Sequence, residues 1–90
     1  MRRTLQGVHV LFIGASERPH AEALVKLARG AGVLTVADWE GALHAGTVLQ
    51  FVKSEGRLRF EASLEGAERS GLRISSRLLA VASRVYSVRP

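Results

Sequence analysis

The sequence predicts a small α/β domain with a mixed sheet, in which a parallel βαβ unit precedes an antiparallel hairpin and helices flank both. The first observation is that two apolar, β-rich runs, 8–13 and 33–37, enclose a segment of helical periodicity, which is the pattern of a parallel crossover. The second is that two later strand-like runs flank Lys53-Ser54-Glu55-Gly56, which has the composition of a hairpin turn.

The first strand and its exit predict where the helical segment begins. Five of the six residues in 8–13 are apolar, so we expect this strand to be buried on both faces. Gly14 permits a sharp exit from the strand, and Ser16 can accept hydrogen bonds from the first helical amides. Pro19 has the fixed φ that suits a first helical turn.

The crossover continues through a helix predicted over 18–30, whose apolar residues recur three and four positions apart. The glycines at 30 and 32 end it, and 33–37 should pair in parallel with the first strand. Asp38 is expected to cap a short helical turn that follows. Trp39 is expected to cover the core near the same strand end.

The hairpin is predicted from 47–52 and 57–61, turned by Glu55-Gly56. Its second arm alternates apolar and charged residues, so one face should be solvated and the arm is expected to form an edge strand.

Two helices are predicted after the hairpin. The first covers 64–69 with Ser63 as its cap, and the second is a long amphipathic helix from 72 to 85. At about 100° per residue, three basic residues fall on a narrow stripe beside the apolar face of that second helix. These are Arg73, Arg77 and Arg84.

Length and composition predict a single domain spanning 1–90. The chain is 47% hydrophobic and 23% charged, which indicates a folded globular protein. No apolar run reaches the length of a membrane span, and the charged start lacks the pattern of a signal peptide, so we expect neither. The absence of cysteine excludes a disulfide, a thiolate nucleophile and a cysteine-based metal site.

The net charge is +5, and it arises mostly in the second half of the chain. Residues 46–90 hold eight basic and four acidic side chains, a surplus of four. Such a balance fits an acidic protein surface, an anionic membrane face or nucleic acid. No nucleic-acid signature of basic and aromatic residues accompanies the charge, so no nucleic-acid partner is expected.

Catalytic and metal sites are not predicted. His9, His20 and His44 lack the spacing of helical metal ligands and have no clustered carboxylates. The serines lack the strained elbow of a nucleophile and a histidine-acid pair. We therefore expect no enzymatic activity and no cofactor.

Two groups of residues are candidate binding sites, each with a plainer structural alternative. The first is the loop at the end of the first strand together with the end of the second, which can bind an anion or small ligand or can be an ordinary capped turn. This candidate ligand loop comprises Gly14, Ser16, Arg18, Asp38 and Trp39.

The second group is a basic surface for a protein partner or membrane headgroups, or else a solvated flank whose alkyl stems cover apolar surface. It comprises the helix arginines Arg73, Arg77 and Arg84 and the hairpin arginines Arg57 and Arg59.

Several ordered blocks of the sequence resemble the second half of the YfiR-like family of periplasmic regulators, which includes HmsC-type proteins. The blocks are Val-His-Val-Leu-Phe-Ile-Gly-Ala-Ser-Glu at 8–17, Gly-Val-Leu-Thr-Val-Ala-Asp at 32–38, Ala-Gly-Thr-Val at 45–48, Gly-Arg-Leu-Arg-Phe-Glu-Ala-Ser-Leu at 56–64 and Gly-Leu-Arg-Ile-Ser-Ser-Arg-Leu-Leu-Ala-Val-Ala at 71–82. The last block is the most specific. The chain departs from the family at Val8, where a cysteine is often found, at Ala45, where glycine is usual, and at Ser63, where asparagine is usual.

The resemblance implies an α/β, non-enzymatic binding protein of the periplasm. Such proteins restrain an inner-membrane diguanylate cyclase by binding its periplasmic sensor domain, and thereby control cyclic di-GMP output and biofilm formation; related modules precede sensor kinases. Because the match covers only the second half of the family domain, we expect the chain to complete its sheet by forming a homo-oligomer, most simply a dimer.

Overall fold

The computed structural model describes residues 9–87 and contains five strands, four α-helices and one 3-10 helix in this part of the chain. Val8, the predicted start of the first strand, lies outside the described residues. The elements in chain order are β1 (Val10–Ile13), the 3-10 helix (Ala15–His20), α1 (Ala21–Ala31), β2 (Leu34–Ala37), α2 (Ala42–Ala45), β3 (Leu49–Ser54), β4 (Arg57–Ser63), α3 (Leu64–Arg69), α4 (Ser76–Val81) and β5 (Arg84–Tyr86).

The strands form one mixed sheet in the order β1-β2-β3-β4-β5. The first three strands are parallel, β4 is antiparallel to β3, and β5 returns parallel to β4. This arrangement confirms the predicted mixed α/β class, with the parallel unit first and the hairpin after it. The strand β5 is an addition that the sequence patterns did not predict.

The crossover helix ends as predicted at Gly32, which adopts the left-handed conformation with φ of 66°. The amide of Val33 donates to the carbonyl of Ala28 over 3.0 Å and closes the helix end. Gly30 lies inside the helix rather than at its end.

Two apolar clusters lie on opposite faces of the sheet. The first joins β1 and β2 to α1 and α2, and its buried members are Ile13, Ala21, Val25, Ala37, Trp39 and Ala42. The second lies beneath α3 and the segment that leads into α4, and its buried members are Val36, Val48, Leu49, Ala62 and Ala67. Successive residues of a strand point to opposite faces of the sheet. A strand can therefore contribute side chains to both clusters, or to one cluster on one face and to solvent on the other.

The prediction that the first strand is buried on both faces is wrong. Leu11 and Ile13 pack toward α1, but Val10 and Phe12 are 55% and 54% exposed. Phe12 pairs in register with Val36 and therefore points to the face of the second cluster. Because β1 is at the edge of the described sheet, the elements that cover Val36 do not extend over Phe12.

Neither predicted polar cap at the strand ends is formed. Ser16 lies within the 3-10 helix, whose cap position is Gly14, and no side chain caps that helix. The cap position of α2 is Gly41, with φ of 90°, whereas Asp38 is exposed. Since Gly41 itself turns the chain into α2, Asp38 stands outside the helix.

The hairpin is confirmed, and its turn has the expected chemistry. Glu55 and Gly56 both have positive φ, 53° and 75°, as a two-residue type I′ connection requires. The second arm is only partly an edge strand. Its residues 61–63 pair with β5, while 57–60 have no strand on their outer side in the described chain.

The C-terminal segment differs most from the prediction. Ser63 caps α3 as expected, and its Oγ accepts from the amide of Gly66 over 2.9 Å. The helix predicted over 72–85 is instead the short α4, capped by Ser75, followed by β5. The amide and hydroxyl of Ser83 both donate to the carbonyl of Phe60, at 2.9 and 3.0 Å, and lead the chain onto the sheet.

Candidate functional site

A row of polar residues crosses β3, β4 and β5 on the sheet face that carries α1 and α2. Gln50 pairs in register with Glu61, and Glu61 pairs with Arg84, so the three side chains point to the same side. We call Gln50, Glu61 and Arg84 the polar row. It begins beside α2 and ends on the exposed strand β5.

The buried end of the polar row is held in place by two hydrogen bonds. Gln50 is only 4% exposed, and its Oε1 accepts from the amide of Leu43 in α2 over 3.0 Å. Its Nε2 donates to Oε1 of Glu61 over 3.3 Å. The side-chain amide therefore links α2 to the sheet and orients the carboxylate of Glu61.

The exposed end of the polar row is a guanidinium group. Nη1 of Arg84 donates to the Tyr86 hydroxyl over 3.5 Å. That hydrogen bond, together with the charge of the nearby Glu61, raises the pKa of Arg84 above its usual value. Arg84 is thus a permanent cation on an exposed strand, with donors that can pair with a carboxylate or phosphate.

Two adjoining grooves follow the polar row, and both are lined by Glu40, Gln50 and Glu61. The larger, about 540 Å³, extends along the hairpin past Lys53 and Leu58. The smaller, about 370 Å³, runs between α2 and β5 and is also lined by Arg84, Tyr86 and His44. The grooves are open and carry side chains of both charges, which suits a polar macromolecular partner.

The hairpin arginines extend the same surface. Arg57 and Arg59 alternate with apolar residues along β4, so they share the side of Glu61, and both are exposed. The structure therefore places Arg57, Arg59 and Arg84 on one face of the sheet.

The predicted stripe of Arg73, Arg77 and Arg84 does not form. Arg73 precedes α4, Arg77 lies within it, and Arg84 belongs to β5. The apolar neighbours Leu72 and Leu79 pack on the second cluster, on the opposite side of the sheet from the polar row. The stripe required a continuous helix, and the chain leaves helical geometry after Val81.

The candidate ligand loop is only partly assembled. The guanidinium carbon of Arg18 lies 5.2 Å from the centre of the Trp39 ring, within the range of a cation–π contact. Both residues line a shallow depression of about 300 Å³. Gly14 and Ser16 do not line it, and Asp38 instead lines the larger groove along the hairpin.

Sequence reasoning missed three residues of the site: Gln50, Glu61 and Tyr86. Gln50 did carry a signal, since it is a lone amide in an apolar strand run, and a buried amide needs partners. No signal in the sequence indicated the pairing of Glu61 with Arg84, because the two residues are neighbours only through the unpredicted strand β5.

Residues 9–87 contain neither a helix that could span a membrane nor a cluster of metal-ligating side chains. No helix in this range is long and apolar enough to cross a membrane. The same residues contain no group of three or more histidine, aspartate or glutamate side chains placed to hold a metal ion.

The fold and the site define a small mixed α/β domain that presents an open, charged sheet face. The chain belongs to the YfiR/HmsC-like family (DUF4154), whose profile matches residues 1–83. At the level of the family, its members are periplasmic regulators of cyclic di-GMP signalling rather than enzymes, and they act with other proteins. No curated protein matches the sequence significantly.

A solved structure shares the fold. The crystal structure of a conserved domain protein from Vibrio cholerae O1 biovar El Tor str. N16961 superposes with a TM-score of 0.70 at 13% sequence identity. The match covers 84% of this chain but 36% of that one, so the chain corresponds to little more than a third of the longer protein. At this identity the similarity concerns the fold alone.

Proposed function

We propose that the chain is a non-enzymatic binding module that restrains an inner-membrane diguanylate cyclase by binding its periplasmic sensor domain. In this role the chain resides in the periplasm and lowers cyclic di-GMP output and biofilm formation. A sensor kinase with a similar periplasmic domain is a partner of the same kind. The family match over residues 1–83 is the observation that carries the proposal, because it defines a class of regulators that act through other proteins.

The partner surface is the open sheet face with the polar row at its centre. Arg57, Arg59 and Arg84 present exposed guanidinium groups there. A guanidinium pairs with a carboxylate through two parallel hydrogen bonds, so an acidic strip on the sensor domain is the complementary surface. The hydrogen-bonded pair of Gln50 and Glu61 lies on the same face of the sheet and gives the contact a defined register.

Binding of a recombinant sensor domain to two charge-reversal variants tests this surface. The variant Arg57→Glu/Arg59→Glu changes the open face, and Arg73→Glu/Arg77→Glu changes the charge equally on the other side of the sheet. We expect the first variant to weaken binding at least tenfold, largely through slower association, and the second to bind like the parent.

We expect both variants to have melting temperatures close to that of the parent, because all four arginines are exposed. Equal weakening of binding by both variants would show that only the net charge of the chain matters, and not the position of the arginines. Parallel loss of binding and melting temperature in the first variant would leave the hairpin a structural role only.

We also propose that the chain self-associates along β1. Within residues 9–87 no strand pairs with the outer edge of β1, and β1 carries two apolar side chains, Val10 and Phe12, that are more than half exposed. Neither a charged residue nor a proline interrupts Val10–Ile13, and these are the devices by which edges usually resist pairing. Two copies that pair their β1 strands would extend the sheet across a two-fold axis.

A second candidate function is supported by the contact between Arg18 and Trp39. This contact places a cation over an aromatic ring in a depression that also contains His44, which is compatible with a small anionic ligand. Trp39 is the only tryptophan, so its fluorescence can be titrated with inorganic phosphate, nucleotides and organic acids. A saturable change would support an anion-sensing role, and constant emission across the series would reject it.

A further inference from the structure

We propose that the exposed surface around α4 binds an anionic phospholipid surface. We call this the α4 surface and define it by two apolar residues, Leu78 and Val81, and two cations, Arg73 and Arg77. It lies on the side of the sheet opposite the polar row, so it is separate from the partner surface proposed above.

The apolar side chains of the α4 surface are exposed to solvent. Val81 is 70% exposed and Leu78 is 37% exposed, whereas Leu79 of the same helix packs on the second cluster. Val85, which pairs with Ala62 and therefore points to the same side of the sheet, is 41% exposed. Three large apolar side chains are thus exposed within eight residues of sequence.

The charged residues within this segment of the sequence are all basic. Residues 70–87 contain Arg73, Arg77 and Arg84 and no aspartate or glutamate. Arg84 points to the opposite face with Glu61, so Arg73 and Arg77 are the two exposed cations of this segment that remain for the α4 surface. Cations beside exposed apolar residues are the composition of segments that lie in the interface of an anionic membrane.

The shape of the surface favours a lipid layer over a folded protein. No residue of α4 lines either of the two grooves or the depression beside Arg18 and Trp39, and the helix is exposed along all but one of its positions. A headgroup layer can deform around such a projecting helix, with the valine and leucine entering the acyl boundary. The arginine stems can extend along the apolar surface and place their charges at the phosphates.

Co-sedimentation with vesicles tests the proposal on the full chain. One set of vesicles is phosphatidylcholine alone, and the other is an equal mixture of phosphatidylglycerol and phosphatidylcholine. We expect binding to the mixed vesicles, weakened by added salt, and little binding to the neutral ones. Arg73→Gln/Arg77→Gln should lower the partition coefficient about tenfold or more, since each cation near such a surface contributes separately.

Two control variants match the test variants in exposure and charge. Arg57→Gln/Arg59→Gln removes the same charge from the hairpin, and Leu58→Ser removes an apolar side chain that is 68% exposed, close to the 70% of Val81. We expect Val81→Ser to weaken vesicle binding several-fold and Leu58→Ser to leave it unchanged. The arginine pair and Val81→Ser test the surface independently, so poor folding of one variant leaves the other decisive.

Three outcomes would overturn the proposal. The first is an absence of binding to the mixed vesicles. The second is an equal loss of binding in Arg57→Gln/Arg59→Gln and in Arg73→Gln/Arg77→Gln, which would show attraction by net charge alone. The third is a concentration-dependent dimer that Val81→Ser dissociates without any effect on vesicle binding, which would assign the α4 surface to a second copy of the chain. Because these measurements contain no sensor domain, they are independent of the proposed regulatory function.

Discussion

The indole N–H of Trp39 donates to the carbonyl oxygen of Ile13 over 3.0 Å in the interior of the protein. The bond joins the end of β1 to the loop after β2, 26 residues later in the chain. Ile13 is fully buried and Trp39 is 8% exposed, so water cannot readily replace the lost partner if either group is removed. The tryptophan thus fixes the geometry of the edge strand while its ring covers the first cluster.

Replacing Trp39 with phenylalanine should lower the free energy of unfolding by about 1–3 kcal/mol, because the carbonyl of Ile13 loses its donor inside the core. Urea denaturation monitored by circular dichroism measures the change. Arg18→Gln is the control, since it removes only the cation over the ring and should cost less than about 1 kcal/mol. An equal loss in both variants would assign the effect to the exposed cation–π contact.

The two serine caps should differ in strength. The hydroxyl of Ser63 accepts from the Gly66 amide in a buried setting, whereas that of Ser75 accepts from the Leu78 amide in an exposed one. Ser63→Ala should therefore cost about 1–2 kcal/mol and Ser75→Ala about 0.5–1 kcal/mol, because water can replace only the second cap. Chemical denaturation of the two variants side by side checks the order, and a larger loss at Ser75 would contradict it.

Two glycines should respond to alanine in opposite directions. At Gly46, φ is 112°, and an added Cβ would lie 3.0 Å from both Arg29 Nη2 and Val25 Cγ1, so Gly46→Ala should destabilise the protein. Gly30 lies within α1, and an added Cβ would meet nothing within 4 Å. Gly30→Ala should therefore stabilise the protein by about 0.5–1 kcal/mol, through the better helix propensity of alanine. Thermal melts of the two variants test the contrast, and a shift of the same sign in both would refute it.

A charge on the outer strand β1 should prevent self-association. Phe12→Lys places an ammonium group on β1, so two such strands would bring like charges together. Light scattering across a dilution series is expected to show a dimer for the parent and a monomer for the variant, with similar melting temperatures. Leu58→Lys places the same charge on the hairpin, where the leucine is 68% exposed against 54% for Phe12, and this variant should stay dimeric. If the parent protein is monomeric at every concentration, the proposed self-association along β1 is wrong.

The elements that the sequence predicted well are those set by neighbouring residues. The crossover helix ends at Gly32 because only a residue tolerant of positive φ fits there. The hairpin turns at Glu55-Gly56 because both positions require positive φ. Ser63 caps α3 through a bond to an amide three residues away. Each of these features is decided within a few residues, so the local pattern was sufficient.

The candidate site was predicted much less completely. The hairpin arginines were identified, because an alternating arm leaves one side in solvent whatever the neighbouring strand is. Gln50 and Glu61 were not, since Gln50 depends on Leu43 in a different element and Glu61 depends on Arg84 in the unpredicted strand β5. The arginine stripe was predicted from helical periodicity alone. That periodicity gives no indication that the helix ends at Val81.

The sequence by itself determined the α/β class, the parallel crossover, the hairpin and the capped helix α3, because hydrophobic period and turn chemistry act locally. The tertiary structure alone decided that the chain after Val81 becomes β5. Residues 61–63 of β4 present backbone groups that need partners, and Arg84–Tyr86 supplies them together with the Ser83 bonds to Phe60. The gain from pairing this distant edge exceeds the weak helical preference of the segment, and the strand that results brings Arg84 beside Glu61.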